Sequence, residues 1–487
     1  MIGGVDPDDL LGKAYDPRIA RRLFGFVRPY RRRAVGALLL IVVGTVSDLL
    51  LPKLFSMAVD EVSQARRLSV LNLLGAAFLI TLCLRFLANW GEFYQISWLG
   101  NRIVFDIRNR MFRHLQTLNV AYVDRRGVGS IMSRVQNDVG VINDFFSDAI
   151  AGVFGSALIL AGIVVLMLWT NWRLALLAFA VLPPMVLFMR VWRKRAIATY
   201  RATRRTIAIV NANLAESIAG IRVVQAFTRE PQNVRRFERI SRDNLDASIE
   251  AARLSALLFP VVALLGAVAT ATIVYVGGKL VLAQTLTIGE LVLFVALIDR
   301  FFEPIRDLSQ QYTVLQAAMV AGERIFEVLD VEPEVRDKPD AVSLPPIAGR
   351  IDYNHVDFGY GQTEILHDVD LHIAPGETVA FVGETGAGKT SVVNLLLRFA
   401  DVWSGSVAID GHDVRDVTQS SLRSQLGVVL QDTFLFGGTV RDNIAFARPE
   451  ASLADVEWAA REVGAHRFIV DLADGYETEI QERGVSL

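Results

Sequence analysis

The residues best suited to chemistry form one glycine-rich segment, which reads Gly383-Glu384-Thr385-Gly386-Ala387-Gly388-Lys389-Thr390. Glycines at this spacing allow the backbone to wrap closely around a triphosphate, with several amide N–H groups facing the anion. Lys389 is expected to neutralise the β- and γ-phosphates, and the Thr390 hydroxyl to bind Mg²⁺, with Ser391 as a weaker candidate. The segment therefore predicts a binding site for ATP and Mg²⁺.

The flanks of this segment are those that a phosphate-binding loop requires. A β-like run, 377–382, precedes it, and the apolar spacing of residues 391–398 favours a helix whose positive end faces the anion. A glycine-rich turn without a ligand is the alternative interpretation. A strand before the segment and a helix after it favour nucleotide binding.

Composition indicates that part of the chain lies in lipid. Of its 487 residues 52% are hydrophobic, and the mean hydropathy is +0.37. The formal net charge of −2 provides no overall basic field that would favour a nucleic-acid partner. The single cysteine, Cys83, excludes an internal disulfide and a cysteine-rich metal site. The first apolar run is too long for a signal peptide and is better interpreted as a membrane span.

Six segments have the length and apolarity of membrane helices, at about 34–58, 69–94, 148–170, 172–192, 257–282 and 286–306. They predict a transmembrane domain over residues 34–330. The intervals 95–147 and 193–256 and the amino-terminal segment 1–33 are rich in arginine, so the positive-inside rule assigns them to the cytoplasm. We expect a multi-pass protein of the plasma membrane with both termini cytoplasmic.

The two long intervals carry helical periodicity and few helix breakers. If each continues the membrane helices as a helical hairpin, about 25 residues a side project it on the order of 35–40 Å into the cytoplasm. We predict that these hairpins reach a domain below the bilayer.

Charged residues inside the predicted spans are costly in hydrocarbon, as at Asp48, Arg85, Asp299 and Arg300. Such residues usually face the interior of a helix bundle or a cavity. Two interpretations are open, a role in lining a translocation cavity and a structural salt bridge between helices.

The composition changes after residue 330. Residues 331–349 contain four prolines among charges and predict an extended linker, and residues 350–487 predict a soluble α/β nucleotide-binding domain. Its expected strands are 350–358, 365–373, 378–382, 406–410 and 427–430, and its expected helices lie around 390–399 and 452–463. The fold class is therefore multidomain, with an all-α six-helix membrane domain followed by an α/β P-loop domain.

In these features the chain resembles an ABC transporter half-unit of the exporter type, from about Phe24 to its last residue. The resemblance implies that Tyr360, in Val356-Asp357-Phe358-Gly359-Tyr360, stacks on adenine. It implies that Gln431, at the end of Val428-Val429-Leu430-Gln431, is the Q-loop glutamine that contacts Mg²⁺ and water. Lys389 and Gln431 are then the residues expected to assist catalysis.

Further segments resemble parts that join the two domains in this family. Residues 129–139 and 216–227 resemble the flanks of two coupling helices, which are expected near 119–126 and 228–237, and residues 478–484 resemble the X-loop. The chain departs from the family at Val485-Ser486-Leu487, where the signature motif begins. We expect the sequence to be a fragment whose ATP-binding domain is incomplete, because the signature, the Walker B residues and the switch histidine would follow.

For the complete protein the resemblance implies ATP-driven export of a hydrophobic or amphipathic substrate, such as a lipid or a drug-like molecule. Two half-units would sandwich two ATP molecules, and alternating access would move the substrate. An importer on the same fold, and a regulatory or degenerate subunit that does not hydrolyse ATP, remain alternatives. The choice between homodimer and heterodimer also stays open. Aromatic residues of the last span, Phe294, Phe301 and Phe302, suit either an apolar cavity or helix packing.

Overall fold

The chain forms two units, Met1–Glu332 and Pro333–Leu487, in a computed structural model that describes residues 16–431 and 434–480. The first unit is helical and the second combines a sheet with short helices.

The first unit contains eleven α-helices within its described residues. They are α1 (Pro17–Gly25), α2 (Arg31–Asp60), α3 (Leu68–Leu115), α4 (Val120–Arg126), α5 (Val128–Ser133), α6 (Val139–Asp144), α7 (Ile150–Phe179), α8 (Leu182–Ala219), α9 (Ile221–Ala226), α10 (Glu230–Leu282) and α11 (Ile288–Leu329). A 3₁₀-helix, Arg28–Tyr30, precedes α2, and π-helical turns occupy Glu61–Ala65, Arg134–Asp138 and Phe145–Ala149.

The six apolar segments of the sequence fall largely in six long helices, α2, α3, α7, α8, α10 and α11. Asn171 interrupts α7 with non-helical torsion angles (φ −156°, ψ 100°), at the predicted boundary between the third and fourth segments. The fourth segment contains a second break between α7 and α8, where Pro183 and Pro184 start the new helix. By length and composition, four continuous helical stretches of the described chain are able to cross a membrane: Arg28–Gln64, Leu68–Leu115, Val128–Phe179 and Glu230–Leu282.

Helices α8 and α10 form a long hairpin. The 53 residues of α10 extend about 80 Å at 1.5 Å a residue, well beyond the roughly 30 Å of a hydrocarbon core. Polar contacts join the two helices along their length: Trp192 Nε1 donates to the Leu254 carbonyl (2.9 Å), Tyr200 bonds Ser255 (2.6 Å), and Thr206 donates to Asn244 (3.0 Å). These bonds fix the pairing of two helices whose remaining surfaces are largely exposed.

Two apolar clusters form the core of the first unit. One joins α1, α3, α6 and α11 around fully buried Ile103, Ile107 and Ile325. The other joins α7, α10 and α11, and it buries the three aromatic residues of the last predicted span, with 0% exposure at Phe294 and 3% at Phe301. Those aromatic side chains therefore pack between helices.

The second unit contains six strands and five α-helices within its described residues. The strands are β1 (Ile351–Tyr360), β2 (Thr363–Ile373), β3 (Ser404–Ile409), β4 (His412–Asp413), β5 (Gly438–Thr439) and β6 (Glu479–Ile480). The helices are α12 (Lys389–Leu396), α13 (Gln419–Arg423), α14 (Val440–Ile444), α15 (Leu453–Glu462) and α16 (His466–Val470), with a 3₁₀ turn at Gly475–Glu477.

One antiparallel sheet, in the order β2-β1-β3-β4, carries the core of this unit. Tyr353, Val356, Phe358 and Val407 are buried on the face that packs against α12. The strands predicted at 378–382 and 427–430 are not formed. A strand is stabilised by hydrogen bonds to its neighbours, and no strand of the described chain pairs with either run, so Val382 and Val429 are each 95% exposed.

The segment before β1 is attached to the second unit by defined contacts. Val342 forms a β-bridge with Val417, Leu344 is buried, and the amides of Ala348 and Arg350 donate to Asp410. The residues from Pro333 to Gly349 thus contribute to the core of the second unit, although they form no regular element.

Candidate functional site

The glycine-rich loop connects an exposed run to the first residue of α12. Gly386 and Gly388 adopt positive φ angles of 91° and 86°, which favour glycine because a Cβ atom would be strained there. At Gly388 a Cβ atom would also lie 2.7 Å from Leu366 and 3.1 Å from Ile365 on β2. Glycine at this position therefore lets the loop approach the sheet closely.

The loop is suited to an anion because its donors are unused. From Gly383 to Ala387 every residue is exposed, and the amide of Ala387 donates to the Glu384 carbonyl (3.1 Å). Within the described chain the amides of Gly386, Gly388 and Lys389 have no acceptor. Together with the N-terminal end of the eight-residue α12, these donors form a fitting cradle for phosphate groups.

Lys389 folds back over the loop. Its ammonium group donates to the carbonyls of Gly383 (2.8 Å) and Glu384 (2.7 Å). These bonds hold one positive charge directly beside the unused amides. An ammonium group so placed can exchange a loop carbonyl for a phosphate oxygen without moving the helix.

The two hydroxyls that follow Lys389 face different surroundings. Thr390 is exposed, whereas Ser391 is 5% exposed and belongs to the core side of α12. Thr390 is consequently the hydroxyl that can reach a metal ion bound with a nucleotide. The described residues contain no group of three His, Cys, Asp or Glu side chains able to hold a metal ion by themselves.

Helix α12 is fastened to the sheet by Tyr353, whose hydroxyl donates to the Val392 carbonyl (2.8 Å). Burial raises the pKa of Tyr353, so this phenol stays protonated and remains a donor. Tyr360, at the end of β1, is 43% exposed, and its ring meets Phe358 edge to face at 5.0 Å. Asn394 of α12 approaches the Tyr360 hydroxyl at 3.5 Å. The predicted stacking residue thus lies beside the helix that starts at the loop.

Gln431 is exposed and makes no hydrogen bond within the described residues. The structure does not join it to the glycine-rich loop. Of the predicted X-loop, Glu479 and Ile480 form β6 and pair with Thr439 and Gly438, and residues 481–487 lie outside the described part of the chain.

The predicted coupling segments differ in their outcome. The first coincides with the separate short helix α4, Val120–Arg126, which follows Asn119. At the second, most of the predicted segment 228–237 belongs to the start of α10, and the separate short helix nearby is α9, Ile221–Ala226. Pro231 favours the first turn of a helix, which explains why the long helix starts there.

Three of the charged residues named above for the predicted spans, Asp48, Arg85 and Arg300, form one cluster. The Arg85 guanidinium lies 2.8 Å from the Asp48 carboxylate, and that of Arg300 lies 3.8 Å from it. Pro52 has no N–H for the helical bond to the Asp48 carbonyl, and Arg300 donates to that oxygen instead (3.0 Å). Asp299 is exposed and makes no ion pair within the described ranges.

The structure confirms the ion pairs between helices and places the same residues at a cavity, whose role in translocation stays a prediction. Asp48, Arg85 and Arg300 connect α2, α3 and α11 by ion pairs, and the same three residues line a cavity of about 420 Å³. The cavity also contains Glu92, Glu303 and Asp307, which the sequence analysis did not select. The sequence contained a signal for these residues, since all three are carboxylates within or next to predicted spans, where charged side chains usually face a cavity.

Comparison with known proteins gives consistent matches to both units. A family model described as "ABC transporter transmembrane region" matches residues 35–305, and a second, described as "ABC transporter", matches residues 366–480.

Curated relatives and a solved structure resemble most of the chain. An uncharacterized ABC transporter ATP-binding protein, YknV, of Bacillus subtilis is 36% identical over 98% of this chain and 80% of its own length. An ATP-dependent lipid A-core flippase of Syntrophus aciditrophicus is 33% identical over 96% of this chain and 78% of its own. The structure of a bacterial Atm1-family ABC exporter with ATP bound is similar with a TM-score of 0.71 and 27% identity, over 94% of this chain and 81% of that one.

Proposed function

The chain belongs to the ABC transporter family as a half-transporter of the exporter type, and on that basis we propose how its residues take part in ATP-driven export. Its membrane region and its ATP-binding domain lie on one polypeptide, and ATP hydrolysis drives transport. Because a half-transporter carries one ATP-binding domain, it works as a dimer in the membrane. The partner is a second copy or a related half-transporter.

In the proposed nucleotide site the loop from Gly383 to Gly388 holds the phosphates through its unused amides. Lys389 neutralises the β- and γ-phosphates, and Tyr360 stacks on the adenine ring. Thr390 and Gln431 bind Mg²⁺, and Ser391 supports the helix from the core side. The ion supplies charge neutralisation at the phosphates when bound. The observation that carries this assignment is the set of unused amides beside the Lys389 ammonium.

We place the protein in the plasma membrane with both termini in the cytoplasm, because the positive-inside rule assigns the arginine-rich intervals between the predicted spans, and the arginine-rich amino-terminal segment, to the cytoplasm. ATP favours the closed arrangement of the dimer and so shifts the equilibrium between inward- and outward-facing states. As the resemblance to exporters implies, the proposed substrate is a hydrophobic or amphipathic molecule, a lipid or a drug-like compound. The name of the flippase relative agrees with the lipid alternative.

The test is ATP hydrolysis by the full-length protein in lipid, compared with Lys389→Ala. We expect Lys389→Ala to insert into the membrane normally and to lose at least about 100-fold in turnover, since a buried charge contact to the transferred phosphate is worth several kcal/mol. Lys338→Ala is the matched control, because Lys338 lies in the same unit and makes a surface ion pair with Asp416. Equal turnover of the wild type and Lys389→Ala would show that the glycine-rich loop is not part of the ATP-hydrolysing site.

A further inference from the structure

The cavity between α2, α3, α7 and α11 has an unusual charge balance for a membrane unit. Its volume is about 420 Å³. The described lining carries four carboxylates against two guanidinium groups, so its formal net charge is −2: Asp48, Glu92, Glu303, Asp307, Arg85 and Arg300. Asp48 forms ion pairs with both Arg85 and Arg300. The negative charge that remains belongs to the other three acids.

Several acceptors in this lining have no donor. Glu92, Glu303 and Asp307 make no ion pair or hydrogen bond with any residue of the described chain. Thr45 and Ser156, each only 8% exposed, also line the cavity, and neither hydroxyl has a hydrogen-bond partner within the described residues. Thr45 and Ser156 are the buried members of this set, and a buried polar group without a partner costs about 1–3 kcal/mol. Together with the three unpaired carboxylates, these two hydroxyls indicate a missing ligand.

Two further oxygen atoms at or near the cavity are hydrogen-bond acceptors without a donor. Pro304 lines the cavity and lacks the N–H that would close the helical bond to the Arg300 carbonyl. The Gln311 amide approaches Gly152 of the lining, and its Oε1 atom is buried without a partner. The available groups are therefore mainly oxygen atoms of carboxylates, hydroxyls and carbonyls, together with the Asn89 amide, whereas the two guanidinium groups are already paired.

We infer that this cavity binds the positively charged head group of the transported amphiphile, an organic ammonium or phosphonium cation. This inference rests on the proposed export function and narrows its substrate class. A monovalent cation reduces the net charge of the cavity, and an ammonium group in addition supplies donors to the unused oxygens. An anion of equal size meets uncompensated carboxylates and is excluded.

The test uses a pair of ions with the same size and hydrophobicity. Binding of tetraphenylphosphonium and of tetraphenylborate is measured by equilibrium dialysis against the full-length protein in nanodiscs, without nucleotide and after subtraction of empty nanodiscs. We expect the cation to bind at least tenfold more tightly than the borate anion, with one saturable site per chain. Equal affinities, or a preference for the anion, would overturn the inference.

Single substitutions locate the site. Glu92→Gln and Glu303→Gln are each expected to weaken tetraphenylphosphonium binding about tenfold, which corresponds to about 1.4 kcal/mol. Glu323→Gln is the matched control, because Glu323 is exposed like Glu303 and lies on the same helix, but it is about 30 Å further along and does not line the cavity. Unchanged binding in both cavity variants, or the same loss in the control, would show that the cation binds elsewhere.

Failure of this inference and failure of the export function give different results. If the protein hydrolyses ATP and exports a substrate but shows no preference for the phosphonium ion, the cavity assignment is wrong and the function stands. If the cation binds as expected while the wild type shows no ATP-dependent transport, the export function is wrong and the cavity still binds cations. Glu303→Asp keeps the charge and is expected to retain binding, which separates charge from misfolding.

Discussion

Arg398 is the side chain whose loss should most affect the ATP-binding unit. It is 1% exposed and follows α12, the helix that begins at the phosphate-binding loop. Its guanidinium donates to the Val417 carbonyl (3.2 Å), to the Arg336 carbonyl (2.9 Å) and to Asp401 (3.1 Å), and it lies 3.4 Å from Asp337. One buried group thus connects the helix to the segment before β1.

Replacement by methionine, which fills a similar volume without donors, leaves these acceptors without partners. The Val417 carbonyl is the costliest, because Val417 is only 1% exposed and water does not reach it. Removing one member of a buried charged network costs about 3–5 kcal/mol. In a domain of this size each kcal/mol lowers Tm by about 2–4 °C, so we expect a fall of about 10 °C for Arg398→Met.

The assay is the fraction of full-length protein that still binds a fluorescent ATP analogue after heating. Arg441→Met is the matched control, because Arg441 is 43% exposed and lies 3.6 Å from Glu477, a surface pair worth less than about 1 kcal/mol. Arg398→Lys, which keeps the charge and loses the planar fork of donors, is expected to fall between the two. If Arg398→Met and Arg441→Met inactivate at the same temperature, the buried network does not stabilise the unit.

Three further predictions concern the nucleotide site, the membrane cluster and acid stability. Tyr360→Ser should weaken ATP binding about tenfold in a fluorescence titration, whereas Tyr360→Phe, which keeps the ring, should change it little; equal losses would exclude stacking. Asp48→Asn leaves Arg85 and Arg300 without their carboxylate and should lower thermal stability in detergent more than Asp48→Glu. Backbone N–H groups hold the pKa of Asp410 below its usual range. The ionised Asp410 carboxylate therefore stabilises the fold fully above the unfolded pKa of about 3.9, and this stabilisation is lost as the pH falls through the folded pKa. The stability gap between wild type and Asp410→Asn should therefore narrow in acid, and a constant gap would contradict this.

The sequence was informative where function depends on local chemistry. The loop needs only glycines, a lysine and a hydroxyl in a row, and α12 starts at Lys389 as the apolar spacing of 391–398 suggested. Apolar length likewise indicated the long helices of the first unit, because a span needs about 20 apolar residues wherever its neighbours lie. Both signals are contained in one continuous stretch.

Features that depend on distant partners were missed. The runs 378–382 and 427–430 have strand-like composition, but a strand forms only beside another strand, and composition does not reveal the neighbour. The bond from Arg300 to the carbonyl of Asp48 joins positions 252 residues apart. Only Pro52 gave a local hint, since it leaves that carbonyl without its helical donor.

The most direct test of the central claim is ATP-dependent flux in inside-out membrane vesicles that contain the full-length protein. A fluorescent amphipathic dye is followed during uptake into the vesicle lumen, which corresponds to export from the cell, with and without ATP. We predict uptake that requires ATP, is absent in Lys389→Ala and persists in Lys338→Ala. Equal uptake by the wild type and Lys389→Ala, or ATP-dependent movement out of the lumen, would contradict ATP-driven export by this protein.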